Sequence, residues 1–358
     1  MVAAWAIVNR TDGRDASDPS ELKLRVATTS PFFVNKKLCS THESIQPMNV
    51  IGRLAPSPTG AQHLGNARTY LLAWLSARSQ AGRVVLRIED IDSPRVKPWA
   101  VQQAIDDLRW LGLDWDEGPD IGGPNSPYVQ TERTHLYDAA IRNLVDADRV
   151  YPCTCSRTDI DAAASAPHES IDGPVYPGTC AAWRLGDSVP TDGTFCWRFR
   201  TSDREISIVD RLRGTQRMNV AKQLGDFPVT RKNLQAAYQV AVVIDDHAMG
   251  INEVVRGDDL LASAFRQTDL IHALDLRCPT YAHVPLVIGH DGRRLAKRHG
   301  DTRLSQYRDQ GIKPEQIVGW AARSANLISD QRSLLPRDLI SVFDWAKLPS
   351  SPIIMPKM

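Results

Sequence analysis

The sequence predicts an α/β protein: a parallel sheet covered by helices, interrupted by an inserted subdomain and finished by a short helical C-terminal region. Three observations predict it. From residue 48 onward, apolar runs of strand and helix length alternate, as in a parallel sheet joined by right-handed crossovers. Across 150–215 the alternation stops, and a cysteine cluster with a Gly/Pro-rich loop takes its place. Residues 301–358 are few and read as helical.

Taken in order, residues 1–47 mix Asp, Ser, Thr and Lys without sustained periodicity. They are expected to form an N-terminal extension, disordered or lying ahead of a native start at Met48. A strand over 50–54 runs into the Pro/Gly-rich turn that begins at Pro56. A helix over 64–80 follows, with Leu64, Ala67, Leu71, Leu75 and Arg78 spaced for one face. The spacing then predicts a strand over 83–88 and a helix over 99–111. After the insertion, the unbroken apolar run 238–244 reads as a buried parallel strand. Strands are also expected over 253–256 and 283–288, the last followed by a tight turn at Asp291-Gly292. The resulting domains are 1–47, a catalytic domain over 48–300 that carries the insertion, and 301–358.

Hydrophobic residues make up 42% and charged residues 24%, so a sizeable core is available. The formal charge of +1 excludes a uniformly basic surface, and any contact with RNA must come from a local basic face. No run of about 18 apolar residues predicts a membrane span. The apolar N-terminus is short and has no leading basic segment, which makes a poor signal peptide. A cytoplasmic location is expected, and with it reduced cysteines.

Two separated stretches suggest phosphate chemistry: Pro56-Ser57-Pro58-Thr59-Gly60-Ala61-Gln62-His63-Leu64-Gly65-Asn66 and Arg294-Leu295-Ala296-Lys297-Arg298. A helix N-terminus behind Pro and Gly presents unpaired N–H groups and a positive dipole end. Thr59, Gly60 and Gly65 allow a phosphate close to the backbone, while His63 and Asn66 add donors. Lys297 can reach the same phosphate from the other side, giving the positioned donors that nucleotidyl transfer needs. The chain has no Gly-x-x-x-x-Gly-Lys-Ser/Thr loop, which argues against a P-loop ATPase.

Around this stretch lie residues suited to a small zwitterion with a second carboxylate. At predicted strand ends or inside motifs, Glu89 can face an ammonium, Arg53 and Arg256 can face carboxylates, and Tyr238 can hydrogen-bond one of them. Separately, Cys153-Thr154-Cys155 is followed by Tyr176-x-x-x-Cys180. Three thiolates and one phenolate oxygen could surround zinc, and a reduced cluster without metal is the alternative on spacing alone.

The combination Gly52-Arg53-Leu54-Ala55-Pro56-Ser57-Pro58-Thr59-Gly60, His63-x-Gly65, Leu86-Arg87-Ile88-Glu89-Asp90 and Arg256-Gly257-Asp258-Asp259-Leu260 resembles the catalytic domain of class I glutamyl-tRNA synthetases over about 48–320. The resemblance implies a Rossmann-like domain that makes glutamyl-adenylate from ATP, accompanied by Mg2+, and L-glutamate. His63-Leu64-Gly65-Asn66 stands for the family's HIGH signature and Arg294-Leu295-Ala296-Lys297-Arg298 for KMSKS. It implies His63 and Lys297 as catalytic residues and His63, Gly65, Asn66 and Lys297 as ATP-binding. Arg53, Leu54, Ala55, Pro56, Ser57, Glu89, Tyr238 and Arg256 would hold glutamate. Asn66 replaces the second His of HIGH, Arg294 the first Lys of KMSKS and Ala296 its Ser, so the rate of adenylation is open.

The segments around Cys153, Cys155, Tyr176 and Cys180 are similar to the zinc-binding insertion of the truncated members of this family, the glutamyl-Q tRNA(Asp) synthetases. The resemblance implies one structural zinc on those four residues. Residues 301–358 are too few for the large helical region with which ordinary glutamyl-tRNA synthetases read the anticodon. The glutamyl-Q tRNA(Asp) synthetases share this truncation, and the resemblance to them implies as acceptor the queuosine base in the anticodon loop of tRNA(Asp); a monomer is expected. The alternatives are a truncated or split synthetase charging a tRNA 3′ end, and a non-catalytic RNA-binding paralogue.

Overall fold

The computed structural model describes residues 49–58, 62–91, 96, 98–163, 175–190, 194–293, 295 and 302–355. The expected extension 1–47 lies outside these residues, as do Thr59, Gly60, Arg294, Ala296, Lys297 and Arg298. In chain order the elements are β1 (Ile51–Leu54), α1 (Leu64–Arg78), β2 (Arg83–Leu86), α2 (Pro98–Trp110), α3 (Thr134–Asp146), β3 (Val150–Cys153), α4 (Arg157–Ala163) and β4 (Cys196–Phe199). There follow β5 (Glu205–Asp210), β6 (Gly214–Asn219), α5 (Val220–Gln223), β7 (Phe227–Pro228), α6 (Tyr238–Ala248), β8 (Glu253–Gly257), α7 (Leu261–Ala273) and β9 (Thr280–Val284). The chain ends with β10 (Val287–Ile288), α8 (Leu304–Asp309), α9 (Pro314–Ser324) and β11 (Ile353–Ile354).

The opening β1-α1-β2 unit is as expected, and β1 and β2 pair in parallel from Ile51↔Arg83 to Leu54↔Leu86. On the other side of β1 lies β8: Asn252 N donates to Ile51 O at 3.1 Å, and Ile51 N donates to Asn252 Oδ1 at 2.8 Å. β8 pairs in parallel with β9, β9 meets β5 in parallel at Tyr281↔Asp210, and β6 closes that edge antiparallel to β5. Helix α1 is buried along most of its length, because β1 and β8 cover one side and α9 another. The parallel arrangement sets the carboxyl ends of β1, β2 and β8 side by side, which is where such sheets bind ligands.

The interrupting segment supplies a second, antiparallel sheet in the order β3-β4-β7. Its chain is shared: β5, within 150–215, belongs to the main sheet, whereas β7, beyond it, pairs with β4.

Two strand expectations are overturned. Residues 238–244 form the first part of helix α6, not a strand. Val240 through Asp246 are all buried, so this helix has no polar face along that stretch, and an unbroken apolar run cannot distinguish it from a strand. The expected strand 283–288 is broken at Pro285, which cannot donate to a ladder. β9 stops at Val284, and β10 instead pairs in parallel with β11 at the C-terminal end of the described chain. The turn at Asp291-Gly292 is present: Gly292 has φ +73° and its N–H donates to Gly289 O at 3.0 Å.

Candidate active site

At the carboxyl ends of β1, β2 and β8 lies a cavity of about 290 Å³. Arg53 and Ala55, His63, Gly65 and Asn66, Glu89, Tyr238 and Arg256 all line it. The structure thus brings these eight predicted phosphate-binding and amino-acid-binding residues into one place, while Thr59, Gly60 and Lys297 lie outside the described residues. The rest of the β1 stretch frames this wall: Leu54 and Pro56 are buried and Ser57 is exposed. The carbonyls of Leu54 and Pro56 accept from Arg87 N and Glu89 N at 2.9 and 3.0 Å.

His63 is the N-cap of α1. Its Nδ1 accepts from Asn66 N at 3.2 Å, and Asn66 Oδ1 accepts from His63 N at the same distance. This is a capping box made by His and Asn. It gives Asn66 a structural task at the altered signature position and leaves the imidazole hydrogen on Nε2. A Cβ on Gly65 would stand 3.0 Å from His63 Cε1, so glycine there lets the ring lie over the helix start. The chain after the second signature is laced to the same point: Leu64 N donates to Thr302 O at 3.1 Å and Leu304 N to Gln62 O at 2.8 Å. Leu295, inside that signature, lines the cavity.

The pocket rests on a buried charge cluster. Fully buried Arg87 donates to Glu89 Oε1 at 2.8 Å and to Asp246 Oδ1 at 2.7 Å, and Arg53 Nε lies 3.7 Å from the same Asp246 oxygen. Arg53 NH1 donates to Val255 O at 3.0 Å, tying β1 to β8. Behind them, Asp245 accepts from Arg133, Gln130 and Tyr137 at 2.6, 2.9 and 2.8 Å. Burial opposes charge on Arg87, but the carboxylates of Asp246, Glu89 and Asp245 together hold its pKa above the ordinary value. Burial pushes the Glu89 carboxyl up, against the pull of Arg87, and pushes Arg53 down. Among the lining groups, Arg256 NH2 is buried with no hydrogen-bond partner. An unpartnered buried donor beside a cavity is suited to a ligand's carboxylate.

The cysteine cluster forms in the second sheet. The Sγ atoms of Cys153, Cys155 and Cys180 lie within 4.8 Å of one another, with Cys155 and Cys180 at 3.7 Å. Thiolates about 2.3 Å from zinc in a tetrahedron stand about 3.8 Å apart, so the spacing fits that ion. Tyr176 Oη sits among them, 3.4 Å from Cys153 Sγ and 3.7 Å from Cys155 Sγ, as the predicted oxygen ligand should. Burial and the neighbouring cysteines push its phenol up, and a bound cation would reverse that. Arg198, 3.9 Å from the Tyr176 ring centroid, adds a nearby positive charge. A hydrogen bond from Cys196 leads the effects that hold the Cys153 thiol down at about 4.

Sequence reasoning missed Arg87, Asp245 and Asp246 as supports of the site. A signal existed: two adjacent acids directly behind an apolar run need partners if buried, and an arginine between Leu86 and Ile88 in a strand needs them too.

The fold and this cavity define a class I synthetase catalytic domain. Residues 49–355 match the family model described as tRNA synthetases class I (E and Q), catalytic domain. The chain is 55% identical over 326 residues to a glutamyl-Q tRNA(Asp) synthetase of Rhodopirellula baltica, covering 86% of this chain and 97% of that one. It is 49% identical over 309 residues to the protein of the same name from Symbiobacterium thermophilum, covering 85% and 95%. Among solved structures it resembles a glutamate tRNA ligase from Elizabethkingia meningosepticum in complex with its amino acid, with TM-score 0.73, 29% identity and coverage of 86% and 67%. The chain therefore belongs to the class I tRNA synthetases of the E and Q group, which are ATP-dependent ligases. Among the described residues no helix is long and apolar enough to cross a membrane.

Proposed function

We propose that this enzyme activates L-glutamate with ATP, without tRNA, and passes the glutamyl group to the queuosine base in the anticodon loop of tRNA(Asp). The observation that carries the glutamate reading is the convergence of Arg53, Glu89, Tyr238 and Arg256 on one cavity with His63, Gly65 and Asn66. Glu89 faces the substrate ammonium, and the two arginines and Tyr238 take carboxylates. A carboxylate oxygen attacks the α-phosphorus of Mg2+-bound ATP, and pyrophosphate leaves. The α1 N-terminus, His63 Nε2–H and Lys297 stabilise the charge that develops on the phosphoryl oxygens.

A hydroxyl of the acceptor's cyclopentenediol then attacks the activated carbonyl and AMP leaves, carrying the electron pair of the broken C–O bond. The hydroxyl proton passes to the adenylate phosphate or to water. A second groove, of about 1020 Å³, shares Tyr238 with the pocket and is lined by Arg157, Arg198, Arg231, Lys232 and Arg266. Its cations suit a phosphate backbone, which supports an RNA acceptor on this side. The names of the two relatives above support tRNA(Asp) as that RNA. Cys153, Cys155, Tyr176 and Cys180 would hold a structural zinc, which fixes the insertion beside the groove. A monomer in the cytoplasm completes this reading.

One assay tests it. With ATP, labelled glutamate and tRNA(Asp) with or without queuosine, label should appear only on the queuosine-containing tRNA. Labelling of tRNA(Glu) would point to 3′-end charging and sink the proposal. Absence of any adenylate would favour a non-catalytic RNA-binding protein. Lys297→Ala should slow ATP–pyrophosphate exchange about a hundredfold with little change in glutamate binding.

A further inference from the structure

Behind the pocket lies a buried relay that the reaction above does not use. The parallel pairing of β8 with β9 sets Arg256 opposite His283. Arg256 Nε donates to His283 Nε2 at 3.1 Å, and Arg256 NH1 donates to Gln267 Oε1 at 2.8 Å. NH2 makes no hydrogen bond although it is buried, which leaves both of its hydrogens for a ligand. His283 is 0% exposed, and its Nδ1 lies 2.6 Å from Asp210 Oδ2. Asp210 is itself fixed. Its Oδ1 accepts from Leu212 N and Arg213 N at 2.9 and 2.8 Å, and its Oδ2 also accepts from His283 N at 3.0 Å.

These contacts determine a tautomer. A neutral imidazole has one N–H. Nε2 accepts from Arg256, so the hydrogen is on Nδ1 and goes to the Asp210 carboxylate. Burial pushes the His283 pKa below its ordinary value, against the pull of Asp210, which is consistent with a neutral ring. The Tyr281 ring stacks on that of His283 at 5.8 Å and lies 5.3 Å from the Arg256 guanidinium, so all three groups are held as a layer.

We infer that His283, oriented by Asp210, is a positioning residue for the substrate-binding arginine: it fixes the plane of the Arg256 guanidinium so that NH2 points at glutamate's carboxylate. The inference rests on the reading that Arg256 binds glutamate. An imidazole lone pair supports a guanidinium without neutralising it, whereas a carboxylate in the same place would compete with the substrate.

The test compares His283→Asn with His283→Gln in ATP–pyrophosphate exchange, with Arg256→Ala as the control. A glutamine oxygen can reach the place of Nε2 and accept from Arg256, and an asparagine can replace only Nδ1. The Asn variant should raise the KM for glutamate about tenfold while kcat and the KM for ATP stay within about twofold, and the Gln variant should restore most of the loss. Equal glutamate KM values for the two variants, or a parallel rise in the KM for ATP, would overturn the inference. If Arg256→Ala raises the KM for glutamate and His283→Asn does not, the positioning role fails and the pocket reading stands. If Arg256→Ala leaves it unchanged, the pocket reading fails, and the role of His283 in glutamate binding fails with it. A readout that needs no variant is the long-range 15N–1H spectrum of the unsubstituted protein. It should show His283 protonated at Nδ1 only near pH 7, and an Nε2–H tautomer or an imidazolium would refute the relay.

Discussion

Around Arg53 and Glu89 the chain buries charge against charge, whereas around Cys153 it buries thiols against a phenol. The first cluster sits on a parallel sheet backed by α1 and by a core that runs from Leu54 to Leu348. Arg87 is held by Glu89 and Asp246 without a ligand, so the pocket wall is preformed, while Arg53 Nε and Arg256 NH2 are left without hydrogen-bond partners. Among the described residues the second has a buried cluster of Tyr151, Cys153, Tyr176 and Cys196, two of which are proposed metal ligands, with Ile160, Ala181 and Trp183 partly buried against it. The two regions differ in where an ion would add to stability. Dense packing holds the pocket, and Val150, Phe195, Trp197, Phe199 and Phe227, in or beside the second sheet, also join a large buried cluster with α3 and α6. Only the cysteine side of that sheet therefore has little interior beyond the atoms that would bind zinc, and metal binding there would be local folding free energy.

The comparison breaks most directly at Arg87. Arg87→Met should destabilise the whole chain by about 3–5 kcal/mol in urea denaturation, because it leaves Asp246 and Glu89 buried beside a lost partner. A loss below about 1 kcal/mol would mean that the cluster is hydrated and the pocket is not preformed. On the other side, Cys180→Ser should lower zinc affinity at least tenfold. Chelation should then lower hydrogen-exchange protection around Cys155, Tyr176 and Cys180 and leave β1, β2 and β8 protected. Loss of protection everywhere would show that the two regions fold as one. Asn66→Ala tests the boundary between structure and chemistry at the altered signature. It removes one arm of the cap and should cost about 1 kcal/mol, to be read from the same urea curves.

Most of the pocket was legible in the sequence because its residues sit at strand ends within short motifs, and strand ends converge in a parallel sheet. Arg53, Glu89 and Arg256 met as expected for that reason. Tyr238 also arrived, although for a different reason from the one given: it opens a helix instead of a strand. Its element could not be told from local pattern, since α6 is enclosed by α3 and α7 and shows no polar stripe there. The supports were the least legible. Asp210, His283, Asp245 and Asp246 act through partners far away in the chain, and no local spacing links a carboxylate at 210 to an imidazole at 283. Pro285 was a visible signal that the last strand would break.

The smallest expected effect concerns that imidazole and separates burial from charge pairing. Burial holds the folded pKa of His283 below its ordinary 6.5, so the unfolded chain binds more protons there as pH falls. Stability from this residue is therefore present above pH 6.5 and is lost on acidification, until the folded pKa is reached. One histidine that stays neutral when folded can change stability by at most about 0.7 kcal/mol between pH 7 and pH 6. Glu89 acts with the opposite sign: burial raises its pKa, so its contribution grows as pH falls through the folded value. Asp210 is held low against burial by its hydrogen bond with His283, so its loss comes only below the ordinary carboxylate range, at 3.8 and under. The His283→Gln variant should accordingly lose less stability than the unsubstituted protein between pH 7 and pH 6, in urea curves taken at both. An identical loss in the two proteins would mean that His283 takes up protons alike in the folded and unfolded states, and a smaller loss in the unsubstituted protein would mean that His283 is protonated when folded. Arg256 would then face an imidazolium, and the pocket would rest on like charges.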